Sequence, residues 1–231
     1  EVLVNPDLAR FQSLGRQLGK AGKEGVTQLV RDRETGEELA MKVFRSSKSG
    51  ATIRAEAEMQ ARAASKGAAP AVIAFCTSGA TKCIVMRKLS RTLRDALEAN
   101  EFGPSDQKQL LRTLRLLDEA GVVHQDKSPI NFMQDARGVW YAIDFGFAKR
   151  REDAEASAKR KFGGRVPENN VSNSCPVAVA MLLRACQRMS QLSESDVAER
   201  LALLCDEAAK QQEIRVVGRQ VQAALPALVE A

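Results

Sequence analysis

The stretch His124-Gln125-Asp126-Lys127-Ser128-Pro129-Ile130-Asn131, followed by Ile143-Asp144-Phe145-Gly146, decides how the whole chain is read. Asp126 and Asn131 stand five apart, and Asp144 lies 18 beyond Asp126. Two carboxylates and an amide on loops beside short strands are ligands for a hard cation. Oxygen donors of this kind suit Mg²⁺ carrying a nucleotide's phosphates. One carboxylate can be spared from the metal to orient a hydroxyl nucleophile.

Upstream of this stretch the chain reads as strands. Leu29-Val30 and Leu39 to Phe44 are short apolar runs within residues 18–44, separated by the turn chemistry of Asp32-Arg33-Glu34-Thr35-Gly36. Thr52 to Lys66 is rich in Ala, Glu, Arg and Met and predicts a helix closed by Gly67. Ala71 to Phe75 and Cys83 to Met86 predict two further strands. Helices then take over. Ser105 to Ala120 carries Leu110, Leu111, Leu114 and Leu117 on one face. A short strand is predicted over Trp140 to Ile143, and three helices over Pro176 to Met189, Glu194 to Lys210 and Glu213 to Leu228. The order is that of an α+β protein of two lobes with a break near Arg87 to Ser90.

The His, Asp, Pro and Asn of the first motif and the whole of Asp144-Phe145-Gly146 resemble the protein kinase family, whose catalytic loop reads H-R-D-L-K-P-x-N and whose metal loop reads D-F-G. Other landmarks fall in order. Leu39-Ala40-Met41-Lys42 resembles V-A-I-K, and the resemblance implies that Lys42 grips the nucleotide's α/β-phosphates. Leu18 to Val26 stands for the Gly-rich loop in two alignments: Gly19, Ala21 and Val26 fit one, Gly22 and Gly25 the other. A glutamate of the following helix should pair Lys42. Glu56 and Glu58 compete, and the distance to the Gly67–Pro70 turn favours Glu58. Met86 takes the gatekeeper position, the backbone of 87–89 including Leu89 faces adenine, and Val26, Ala40 and Met133 sandwich the base. The resemblance further implies that Asp126 accepts the hydroxyl proton, while Asn131 and Asp144 hold Mg²⁺.

The chain also departs from the family's pattern. Gln125 replaces the arginine that gathers a loop phosphate, and Ser128 replaces the lysine of the catalytic loop, with Lys127 one place early. Neither Gln60 nor Arg62 is the apolar residue expected beneath Phe145. Val166-Pro167-Glu168 resembles A-P-E, and the aspartate expected beyond it is at best Asn173.

Composition bounds the rest. With 231 residues and 44% hydrophobic content the chain can bury a full core. A net charge of +6 is too mild to argue for nucleic acid. One histidine rules out a multi-histidine metal site, and no apolar run reaches membrane-span length. The five cysteines form no C-x-x-C pair and read as reduced thiols. The resemblance therefore implies one kinase-like domain over 1–231, with an N-lobe of about 10–88, a hinge at 87–90 and a truncated C-lobe over 91–231. It implies an ATP- and Mg²⁺-dependent Ser/Thr kinase, monomeric, cytoplasmic and constitutively active. Such stripped-down domains are similar to small bacterial effector kinases secreted into host cells to act on signalling or chaperone proteins. The alternatives are a nucleotide-binding pseudokinase scaffold and a small-molecule kinase of the aminoglycoside phosphotransferase type.

Overall fold

The computed structural model describes residues 2–190, 192–204, 206 and 210. The N-terminal half is a six-stranded sheet of β1 (Leu3–Val4), β2 (Phe11–Gln17), β3 (Gly25–Asp32), β4 (Glu38–Phe44), β5 (Val72–Cys76) and β6 (Cys83–Arg87). Its order is β1-β5-β6-β4-β3-β2. Helix α1 (Gly50–Ala64) lies between β4 and β5 in sequence and is capped by the Ser49 side chain, which accepts from the Thr52 N–H. The sheet starts earlier than the sequence suggests. β2 alternates weakly and buries only Phe11, so its seven residues carry little period-two signal.

Alternation along β4 sets the two faces of the sheet. Leu39 and Met41 join Phe11, Val30 and Val85 in one core cluster. The opposite face carries Phe44, which packs with Ile53 and Ala57 of α1 and with Ile84. Lys42 therefore points toward α1 and the cleft.

After β6, β7 (Arg91–Thr92) opens the helical half, with α2 (Leu93–Glu98), α3 (Pro104–Glu119), β8 (Val122–Val123), β9 (Phe132–Gln134), β10 (Trp140–Ala142), β11 (Lys149–Arg150), α4 (Arg151–Lys161), α5 (Pro176–Met189) and α6 (Glu194–Arg200). The break expected at 87–90 is the link between β6 and β7. The leucines expected on one face of α3 are buried together with Phe132, Trp140 and Leu182. Met59 and Ala63 of α1 belong to the same cluster, so one core ties α1 to the helical half.

The charged segment after Gly146, for which the sequence pattern marks no element, forms the helix α4. Glu152 and Asp153 stand in its first turn and Lys159, Arg160 and Lys161 in its last, a distribution that complements the helix dipole. The helix expected over Glu213 to Leu228 lies outside the described residues, and the one expected over Glu194 to Lys210 breaks at Leu201, where α6 ends. Cys76, Cys83, Cys175 and Cys186 are buried free thiols. Among the described residues no helix is long and apolar enough to cross a membrane.

Candidate active site

Lys42 leaves the middle of β4 and its Nζ donates to Glu56 Oε1 at 2.6 Å and to Asp144 Oδ1 at 2.8 Å. The partner glutamate is thus Glu56, not the expected Glu58. On α1 the buried stripe runs through Ile53, Glu56, Ala57, Met59 and Gln60, which puts Glu58 on the exposed side. Counting back from the Gly67–Pro70 turn misplaces this face by two residues, roughly half a helical turn. Burial opposes the Lys42 charge, yet Glu56 and Asp144 outweigh it and hold the ammonium above the ordinary lysine range. Burial likewise pushes Asp144 up, and the charge and hydrogen bond of Lys42 prevail to hold the carboxyl below its ordinary value.

Two residues unseen in the sequence complete this cluster. Lys48, from the link between β4 and α1, donates to Glu56 Oε2 at 2.9 Å and to Glu24 Oε2 at 2.7 Å. Glu24 also reaches Lys42 at 3.5 Å. Glu24, Glu56 and Asp144 bring oxygens within 4.8 Å of one another, and Lys42 and Lys48 ion-pair with them. Lys48 belongs to no motif, and Glu24 stands within the Gly-rich stretch Leu18 to Val26 without an ionic role assigned there, so only their approach in space reveals the pairing.

The Gly-rich segment is the turn between β2 and β3. It contains Gly19, Ala21 and Gly22 and ends at Gly25, with the Gly22 N–H donating to the Gly25 carbonyl at 2.9 Å. Gly25 is demanded by close approach, since a Cβ there would lie 1.9 Å from the Val43 carbonyl oxygen. Ala40 and Met86 are paired across β4 and β6, with Ala40 buried and Met86, Val26, Leu89 and Met133 half-buried. The Arg87 N–H already donates to the Ala71 carbonyl.

Asp126 is half-buried, and its carboxylate is in no hydrogen bond or ion pair among the described residues. It is free to accept a proton from a substrate. The Nδ2 of Asn131 donates to the Asp126 carbonyl at 3.3 Å, which leaves its amide oxygen available as a donor atom. Asn131 and Asp144 line the same cleft as Asp126. One carboxylate and one amide oxygen form a hard donor set that fits Mg²⁺ escorted by phosphates. Gln125 and Asp144 both adopt positive φ, 63° and 62°, a conformation that non-glycine residues hold where the surroundings enforce it.

The enforcement is visible. His124 is fully buried, its Nε2–H donates to the Ile143 carbonyl at 2.8 Å, and it packs edge-on against Phe145 at 5.0 Å. Burial keeps the imidazole neutral by lowering its pKa. The His124 N–H donates to Asn173 Oδ1 at 3.0 Å. Its own Nδ2 donates to Asp118 Oδ1 at 2.9 Å and to the Val122 carbonyl at 2.7 Å. Asp118, at the end of α3, also accepts from the backbone of Asn173 and Ser174 and from the hydroxyls of Ser172 and Ser174. Phe145 is buried in the core cluster that also contains Met59 and Ala63 of α1. Gln60 turns instead to the Pro70 carbonyl, and Arg62 to the Ala120 carbonyl. Ser128 donates to the Met189 thioether at 3.1 Å and contributes no charge.

Residues 12–165, about two thirds of the chain, match the protein kinase domain family. The chain is 27% identical over 164 residues to a protein of Corynebacterium efficiens named "Probable serine/threonine-protein kinase", a match covering 65% of this chain and 25% of that one. It thus spans about a quarter of that relative's length.

Proposed function

The chain belongs to the protein kinase family, and from that premise we propose that it transfers the γ-phosphoryl group of Mg·ATP to a serine or threonine hydroxyl of a protein substrate. The observation that carries this reading is Lys42 held by Glu56 and Asp144 at once, with the unpaired Asp126 carboxylate in the adjoining cleft. In this reading Lys42 binds the α- and β-phosphates, with Val26, Ala40, Met86, Leu89 and Met133 around the adenine. Mg²⁺ supplies charge neutralisation at the phosphates, and Asn131 and Asp144 would hold it. Asp126 takes the hydroxyl proton as the new O–Pγ bond forms, while the bond from Pγ to the bridging oxygen breaks and its electron pair leaves with ADP.

Two features support activity without loop phosphorylation. Gln125 carries no charge with which to anchor a phosphate. Ser157 is the single hydroxyl residue between Phe147 and Val166, and it lies half-buried on α4, accepting from Lys149 at 3.4 Å. The reading as a monomeric bacterial effector acting in a host cytoplasm on signalling or chaperone proteins rests on the sequence resemblance alone.

The test is incubation of the purified chain with Mg·ATP and a mixture of serine and threonine peptides, read by mass spectrometry. The expected product is heavier by one phosphoryl group, about 80 Da, and Asp126→Asn lowers its rate by about 10³-fold. An adenylated product, or a phosphopeptide yield equal in wild type and Asp126→Asn, overturns the assignment.

A further inference from the structure

A cleft of about 680 Å³ opens beside Asp126, between the 125–131 loop, α4 and α5. Only its inner end, at Asp126, Asn131 and Asp144, belongs to the reaction centre described above. Its walls carry four cations from four separate segments: Lys127 of the loop, Lys149 of β11, Lys161 of α4 and Arg188 of α5. Among the described residues none of the four is ion-paired with a carboxylate. Lys149 meets a hydroxyl, and Lys161 lies over the Phe162 ring at 5.2 Å. Burial holds the Lys127 ammonium below the ordinary lysine range, an effect that Cys175, Asp118 and Asp126 offset only in part. The carboxylates lining the cleft are Asp126 and Asp144, both engaged by the reaction.

The helix dipole accounts for a lysine in the last turn of α4, but it does not account for Lys149 or Arg188 converging on the same space. Unpaired like charges in a concave site focus a positive potential and draw anions toward it. Three of the four are lysines, point charges on flexible stems without the fork that grips a phosphate in two bonds. Spread around the cleft, they suit several carboxylates along a chain better than one phosphate. Ile130, Met181 and Met189 add exposed apolar surface for the stems of such side chains.

We propose that this cleft is a docking site for an acidic segment of the substrate protein, setting Asp or Glu side chains beside the acceptor hydroxyl. The proposal rests on the kinase reading above, and the experiment separates the two. Fluorescent serine peptides of equal length are compared with acidic, neutral and single-phosphoserine flanks, by anisotropy for binding and by phosphate incorporation for transfer. At low salt the acidic peptide should show kcat/KM about tenfold above the neutral one, borne by KM and shrinking as salt screens the charges. The double reversal Lys161→Glu with Arg188→Glu should bring the two peptides within about twofold while sparing the neutral-peptide rate. That rate also reports folding, and Lys149→Gln, expected to reduce the preference in the same direction, serves if the double variant fails to fold.

No acidic preference in wild type, or a preference untouched by charge reversal, overturns the proposal. A phosphoserine peptide that outcompetes the acidic one overturns the choice of carboxylate. Charge-dependent binding of the acidic peptide without transfer to any peptide supports the cleft and defeats the kinase reading. Transfer without charge preference does the reverse.

Discussion

The two sides of the site handle charge in opposite ways. Around Lys42 every ion has a partner from the protein itself: two lysines and three carboxylates interlock across β4, α1, the Gly-rich turn and the D-F-G segment. Beside Asp126 the four cations of the cleft form no ion pair with a carboxylate among the described residues. A self-paired cluster holds parts in one arrangement, because removing one member strands a charge in a poorly solvated place. An unpaired set holds nothing and is available to a ligand. The same residue types thus serve to build on one side and to receive on the other.

The sharpest way to break this contrast is Lys42→Ala. It removes a phosphate contact and unlocks the cluster together, and kcat/KM should fall by roughly 10²-fold or more. Near-normal peptide phosphorylation would mean that the cluster organises nothing the reaction uses. Next in size is a paired comparison on α1. Glu56→Gln should lower kcat/KM by roughly 10- to 100-fold by letting Lys42 drift, while Glu58→Gln should stay within about twofold. Steady-state kinetics of both variants would expose an error if the exposed glutamate proved the costly one.

A smaller effect concerns stability. His124 is the chain's one histidine and is held neutral in the fold, so its folded pKa lies below its unfolded value near 6.5. The unfolded chain then binds more protons. The contribution is complete above about pH 6.5 and is lost as pH falls below it, with a slope of at most about 1.4 kcal/mol per pH unit. Urea midpoints at pH 7.5 and 5.5 measure the loss, and His124→Gln should flatten it. If the variant kept the full pH dependence, other groups would be responsible. The smallest expected change is for Ser157→Ala, which removes the hydroxyl that Lys149 meets. Initial rates should stay within about twofold of wild type, a barrier change near 0.4 kcal/mol. A tenfold fall would show that the cleft depends on this hydroxyl or on its phosphate.

Much of this arrangement is legible in the sequence. Asp126, Asn131 and Asp144 carry fixed spacing because one loop and one short hairpin join them, and local geometry is what sequence encodes most directly. Lys42 is legible because it ends the run Leu39-Ala40-Met41-Lys42, which resembles V-A-I-K. The partner glutamate is not, because α1 buries a polar residue on its inner face, where an apolar periodicity cannot mark it. Lys48 and Glu24 meet only through folding of separate segments. Helix α4 is a case of composition misread: a highly charged run without an apolar stripe looks like a loop, yet it buries just Ala154 and Ala158 and is otherwise solvated. The place of Asn173 can be anticipated, but its dependence on Asp118 requires the end of α3 to be seen beside it.

Asp118 and Asn173 bear on where this protein can be cut. The stretch similar to the family ends at residue 165, and every residue assigned to nucleotide or metal lies before it. The strut that fixes the His124 backbone lies after it. A truncation at the border of recognisable similarity would keep the full inventory of reactive groups and remove the brace that aims one of them. Such a fragment should still bind the nucleotide through Lys42 and its neighbours, yet present a slackened Asp126 loop. The stretch that matches the family and the hydrogen-bonded unit around His124 are therefore of different lengths here, and an expression boundary should be chosen from hydrogen bonds rather than from the extent of the match.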